Sequence, residues 1–428
     1  MKQLPETWTL VALGELADFE MGQAPPASEC NKDGIGTPFV KAGEFGIERP
    51  IIREWTTKPL KFANEADVLI CVVGATAGKL NLGANCAIGR SAAAVRPTDA
   101  IDQLYLHKFL KTRVQHLRAG STGSAQGVIS KATLAKETVP LAPMCEQRRI
   151  VEKLDRLSER SSAAREHLAR VTTLADRAKQ AILSSLLDQE SNVVELGRLA
   201  REIRYGTSKK CGYKNGSTPV LRIPNVTSGT VDAHDLKFAD FDQKELRKLC
   251  LKAGDLLMIR SNGSLNLVGR TAVVEEKQAG FLFAGYLIRI RSDLSKVDPR
   301  YLQLVLMSAK TRRFIESLAK STSGVNNINS AQIANIPVPI TSIEQQRDIA
   351  GRAKAAFARI DRLREEASRA SHLLDRLDER LLAKAFQGEL VPQDPDDEPV
   401  ETLLERIRVA RAASPKPKRT RKKKAAVD

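Results

Sequence analysis

VPLAPMCEQRRIVEKL at residues 139–154 returns as VPITSIEQQRDIAGR at residues 338–352. Each copy opens on Val-Pro, passes a short turn, and runs from Glu-Gln into a long stretch of helix formers almost free of Gly and Pro. Stepping alternately four and three residues from Ile150 meets Leu154, Leu157, Ser161 and Ala164. The same stepping from Ile349 meets Ala353, Ala356, Ile360 and Leu363, and later Leu374, Leu377 and Leu381. An apolar repeat of about 3.5 residues over roughly four heptads, with charged residues between, is the pattern of a coiled-coil seam. Two such helices are expected to pair with each other.

The repeat extends outward from these helices. Leu13-Gly14-Glu15-Leu16 matches Leu196-Gly197-Arg198-Leu199, and a glycine follows at Gly22 and Gly206. Thr37-Pro38-Phe39-Val40-Lys41 matches Thr218-Pro219-Val220-Leu221-Arg222. Ala66-Asp67-Val68-Leu69-Ile70 matches Gly254-Asp255-Leu256-Leu257-Met258, and Asp102 to Leu106 matches Asp298 to Leu302. The order is preserved throughout, so the chain reads as two copies of one globular unit plus one helix. Short apolar runs bounded by Gly, Pro and Asn predict strands. Helical periodicity inside the units is confined to residues 102–118 and 298–319. The expected class is α+β.

Composition bounds the function. The chain has 428 residues, 42% hydrophobic and 28% charged, which is enough apolar material for real cores. A formal charge of +17 favours a polyanionic partner, nucleic acid first. Six cysteines without a CxxC pair predict reduced thiols and no zinc site. No signal peptide or membrane-length apolar run is read, so a soluble protein that stays in the cytoplasm where it is made is expected. Residues 393–399 read as an acidic Pro-rich linker and residues 402–413 as a short helix. Residues 411–428 carry eight Lys and Arg against one acid and read as a disordered basic tail.

The loops differ between copies while the framework matches. In the first unit they bring Lys41, Glu44, Lys79, Arg90 and Gln126; in the second, Arg222, Asn225, Arg260, Asn262, Arg270, Asn326 and Asn327. Arg and Lys suit guanine edges and phosphates, whereas Asn and Gln suit adenine edges. Each also serves simply as a turn former. Catalytic signals are missing. Gly74 to Leu80 is one residue short of a phosphate loop and has Leu80 where Ser or Thr would hold magnesium. No GxGxxG, HExxH or GxSxG occurs, and His107 and His167 lie in helical segments. No catalytic residue and no metal site are expected.

Two tandem variable units, each closed by a Pro-rich turn and a Glu-Gln helix, with AKAFQGELV at residues 383–391 ending the second, resemble the specificity subunit of type I restriction-modification enzymes. The resemblance covers roughly residues 4–392. It implies two target recognition domains, 1–143 and 190–341, separated by two long antiparallel coiled-coil helices, 144–189 and 342–391, in a pseudo-twofold arrangement, with residues 392–428 as linker, short helix and tail. It further implies a non-catalytic subunit that binds double-stranded DNA and docks two methyltransferase subunits, with two restriction subunits as an optional addition.

No cofactor is expected in this subunit. The resemblance implies that S-adenosylmethionine goes with the methyltransferase partner, and ATP and magnesium with the restriction partner. Glu146, Gln147 and Arg149, with Glu344, Gln345 and Arg347, are the candidate partner contacts. Helices of about 40 residues span roughly 60 Å, a ruler for half-sites spaced about 34 to 36 Å per helical turn. The target is then bipartite and asymmetric. The alternatives are a self-contained enzyme, disfavoured by the missing motifs, and a coiled-coil protein-binding scaffold without sequence-specific DNA recognition.

Overall fold

The matched apolar runs become the inner strands of two matching sheets. In a computed structural model describing residues 4–119, 128–188, 192–319 and 324–413, the first copy forms an antiparallel sheet in the order Ala17–Met21, Ala92–Pro97, Val68–Cys71, Leu80–Leu82. The second copy repeats it as Ala200–Tyr205, Leu287–Ser292, Leu256–Ile259, Thr271–Val273. Val68 and Ile70 join one apolar cluster with Leu106, Leu110 and Ile150, while Leu69 and Cys71 join another with Val40 and Ile88. Leu256 and Met258 are divided from Leu257 and Ile259 in the same way. Strands buried on both faces read as unbroken apolar runs, and these do.

Smaller features also repeat. Thr9–Ala12 pairs with Thr138–Leu141, and Asn192–Glu195 with Pro337–Ile340. Asp67 accepts two hydrogen bonds from Arg96 at 3.0 Å each, and Asp255 accepts two from Arg291 at 2.7 Å each. A Cβ on Gly22 would stand 2.2 Å from the carbonyl oxygen of Gly89, and one on Gly206 2.2 Å from that of Phe283. Only glycine fits either close approach. The helical stretch expected over 298–319 is two helices, Pro299–Met307 and Ala309–Leu318, because Ser308 turns extended and caps the second.

The long helices run Met144–Leu187 and Ile343–Ala385. By contacts the chain divides into Met1–Glu166 with Ala370–Asp428, and His167–Arg369. In the first unit Ser161 and Arg165 bond to Asp378 at 2.9 and 2.8 Å, and Arg165 to Asp375 at 3.0 Å. In the second, Asp176 meets Arg364 at 3.3 Å and Lys179 meets Asp361 at 2.6 Å. Numbers rise on one helix as they fall on the other, so the pairing is antiparallel in each unit.

The heptad count needs correction at two positions. Leu363 and Leu377 are 58% and 46% exposed, while the half-buried Arg364 and Asp378 beside them make the bonds to the other helix. A straight helix turns once per 3.6 residues and drifts about 20° per heptad from a 3.5-residue count. Beyond Ile360 that drift carries the two leucines outward.

The acidic stretch after the second long helix is docked rather than free. Arg149 donates to both carboxylate oxygens of Asp397, at 3.0 and 2.5 Å, and Gln393 donates to Glu146 at 2.6 Å. The final helix, Val400–Ala413, then buries Val400, Leu403 and Leu404 in the first unit's main cluster.

His107 adds a pH dependence. It is buried in the helix Gln103–Ala119, and its Nε2 has no hydrogen-bond partner among the described residues. Burial, helped by Lys111 and Lys108, pushes its pKa down to about 4. The unfolded chain takes up this proton near the ordinary value of about 6.5, whereas the folded chain resists it. Stability present above pH 6.5 is therefore lost as pH falls toward 4, by up to about 3 kcal/mol. His107→Leu should flatten this part of the profile, measured as unfolding midpoints at pH 7 and 4.5. An unchanged slope would contradict it.

Candidate nucleic-acid interface

The loop residues expected to face a ligand pair up between the two copies. Thr37–Val40 and Thr218–Leu221 each run parallel to a neighbouring strand and end at a cation, Lys41 or Arg222. The backbone N–H of Lys41 donates to Glu44 Oε2 at 3.1 Å, and that of Arg222 to Asn225 Oδ1 at 2.8 Å. Asn225 also donates its amide to the carbonyls of Asp232 and Asp235, at 2.8 and 2.9 Å. Glu44 and Asn225 are only 6% and 2% exposed. Both side chains are spent on bonds that close their own loops.

The two cations are themselves paired. Lys41 bonds to Glu54, which raises its pKa, and Arg222 bonds to Asp235 at 2.7 Å, which lowers that of the carboxyl. A second cation braces each loop from the next turn. Lys79 donates to the carbonyl of Phe45, and Arg270 to that of Thr227 at 3.1 Å. Arg90 is exposed, without a partner among the described residues, beside Ser91, whose hydroxyl accepts from the N–H of Ala42 at 3.0 Å. The first unit's loops thus bring Lys41, Lys79 and Arg90 together around one framework. Gln126 lies outside the described residues.

In the second unit the strand pair Ser261–Asn262 and Asn326–Asn327 gathers three of the expected amides beside Arg260. Asn326 donates to the carbonyl of Gly263 at 3.0 Å, and Asn262 accepts from the N–H of Ser264 at 2.9 Å, while Asn327 is exposed. Arg260 lies over the ring of Tyr205. The corresponding bridge in the first unit is Val73 with Val128. The same backbone therefore offers an amide-rich surface in one unit and an apolar one in the other.

The expected partner contacts divide by burial. Glu146 is buried under Trp8, whose indole N–H donates to it at 2.9 Å, and burial raises its pKa. Gln147 is also buried, and Arg149 is held by Asp397. Glu344, Gln345 and Arg347 are exposed. The structural counterpart of Gln147 is Gln346, which the Glu-Gln match passes over. The signal was present: Val338 follows Val139, and Ile349 follows Ile150, by the same 199 residues, and so does Gln346 follow Gln147. Tyr205 and Tyr286, beside Arg260, were also missed. Among the described residues no group of three or more His, Cys, Asp or Glu could hold a metal, and no helix is long and apolar enough to cross a membrane.

A duplicated α+β framework with variable loops defines a class. The family model for the type I restriction modification DNA specificity domain matches residues 5–172 and 189–366. The chain belongs to that family, as a specificity subunit of a type I restriction-modification system. It is 29% identical over 377 residues to the type I restriction enzyme EcoKI specificity subunit of Escherichia coli strain K12, covering 82% of this chain and 81% of the relative. The StySPI specificity subunit of Salmonella potsdam is 27% identical over 377 residues, with the same coverage.

Solved structures agree on the fold. A chain from work on complex assembly and conformational transition of the type I R-M system superposes with a TM-score of 0.75 at 18% identity, covering 91% of this chain and all of that one. The HsdS subunit from Thermoanaerobacter tengcongensis gives 0.58 at 18% identity, covering 91% of this chain and 99% of its own.

Proposed function

We propose that this chain reads a bipartite, asymmetric double-stranded DNA target, one half-site per recognition domain, and performs no chemistry itself. The observation that carries the reading is the pairing of equivalent loop positions with unlike side chains. Lys41, Glu44 and Lys79 stand where Arg222, Asn225 and Arg270 stand in the other copy, and Val73 with Val128 stands where Ser261 with Asn327 does. Like scaffolds with unlike surfaces suit unlike half-sites, because base edges specify and phosphate contacts only position. Lys79, Arg90, Arg260 and Arg270 supply the cations, Asn262, Asn326, Asn327 and Gln126 the amides, and Glu44 and Asn225 the loop shape.

Two adenine methyltransferase subunits dock on the paired helices and bring S-adenosylmethionine. Restriction subunits, with ATP and magnesium, join them where the system has them. Methylation of a base requires flipping it into a pocket, which is the partner's task. The exposed leucines Leu174, Leu363, Leu373 and Leu377, with Glu344, Gln345 and Arg347, favour the helices as the docking surface.

Mapping adenine methylation in host DNA with the gene present and deleted tests this. Loss of one bipartite motif on deletion is expected. An unchanged methylome in cells where the methyltransferase is produced would overturn it and favour the protein-only scaffold.

A further inference from the structure

Resting on the DNA-reading role above, we infer that Arg260, laid on the ring of Tyr205, reads a guanine in the half-site of the second domain. Its backbone is pinned on both sides: the N–H donates to the carbonyl of Tyr286 at 3.0 Å, and its own carbonyl accepts from the N–H of Ile328 at 2.9 Å. The guanidinium carbon sits 4.7 Å from the centre of the Tyr205 ring. That ring is fixed in turn, since the Tyr205 hydroxyl accepts from the N–H of Ser330 at 2.9 Å and donates to its Oγ at 3.3 Å.

The charge is held without being neutralised. Arg222, Arg289, Arg291 and Arg312 each have a carboxylate, from Asp235, Glu202, Asp255 and Glu316. Arg260 has none among the described residues. Its Nε is buried without a partner, and Nη1 makes one long bond of 3.3 Å to the carbonyl of Gly285. The Nη2 amine remains unspent. A stacked guanidinium is already ordered, so little freedom is lost when it binds. Its planar donors match O6 and N7 on the major-groove edge of guanine. Tyr286, whose carbonyl holds the Arg260 N–H, is itself 63% exposed.

The first domain lacks this device. Val72 makes the same two backbone bonds, to Ser91 and from Ile129, both at 2.9 Å, as Arg260 makes to Tyr286 and from Ile328. Met21 precedes Gly22 where Tyr205 precedes Gly206. Guanine reading at this place therefore belongs to one half-site only.

The test maps adenine methylation in cells carrying the complete system with the wild-type chain, R260A, R260K or Y205L. With the wild type, one half of the motif contains a G·C pair. R260A broadens that single position, raising methylation of sites with the wrong base relative to the correct one by about tenfold to a hundredfold, and leaves the other half unchanged. R260K, which keeps charge but loses the planar fork, broadens it too. Y205L does so more weakly. R260K carries the test if the R260A complex does not accumulate. Uniform weakening without a change at any base, or full selectivity in R260K, would make Arg260 a phosphate contact and overturn the inference. A wild-type chain that confers no bipartite methylation would instead sink the DNA-reading role itself.

Discussion

A chain shortened to end at Val391 should lose about 3 to 5 kcal/mol of stability in its first unit and almost none in its second. The missing helix removes Val400, Leu403 and Leu404 from the cluster that also holds Trp8, Val11 and Leu13. Full burial of such side chains contributes about 1.5 to 3 kcal/mol each, partly offset by the freedom the segment regains. Arg149 loses its two bonds to Asp397, and Glu146 loses the amide of Gln393 while staying buried beneath Trp8. Hydrogen exchange distinguishes the units. Faster exchange over Thr9–Ala12 and Gln103–Ala119, with Asn192–Glu195 and Leu256–Ile259 unaffected, is the expected pattern. Equal protection in both units would show that the final helix is only an appendage.

Replacing Gln147 by alanine should cost the first unit about 3 to 5 kcal/mol, and Gln346→Ala should cost the second a similar amount. Gln147 is fully buried. Its Oε1 accepts from the N–H of Asp102 at 2.8 Å, and its Nε2 donates to the carbonyls of Ala100 and Ala142 at 3.0 and 2.9 Å. Gln346 accepts from Asp298 at 2.8 Å and donates to Lys296 and Thr341 at 3.2 and 2.8 Å. Either deletion leaves one N–H and two carbonyls unpaired in the interior, each costing about 1 to 3 kcal/mol before relaxation. Chemical unfolding of both variants reads the effect. Losses under about 1 kcal/mol would mean that water replaces the amide without difficulty.

These two glutamines also show what could be read from letters alone. The duplicated framework was legible because burial on both faces forces apolar runs, and close backbone approach forces glycine, at the same places in each copy. Gln346 escaped because Glu-Gln recurs one residue earlier at Glu344 and Gln345, and a matched pair of letters outweighed the constant spacing. The outward turn of Leu363 and Leu377 depends on a drift of a few degrees per residue, which short windows do not resolve. Glu44 and Asn225 looked like any polar loop residue; their burial comes from bonds that close the loop on itself. Tyr205 and Arg260 are 55 residues apart in the chain, and only the sheet brings the ring under the guanidinium. Asp397 finds Arg149 across 248 residues, which no local pattern announces.

The first unit draws on residues from both sides of the second, with 4–166 made before it and 370–413 after it. On the ribosome, the second unit has all its parts before the first can close. Until the final helix emerges, the first recognition domain waits with part of its interior open, and an interrupted translation product would present it to proteases in that state. The order of synthesis thus makes the first unit the one that an early stop leaves unfinished.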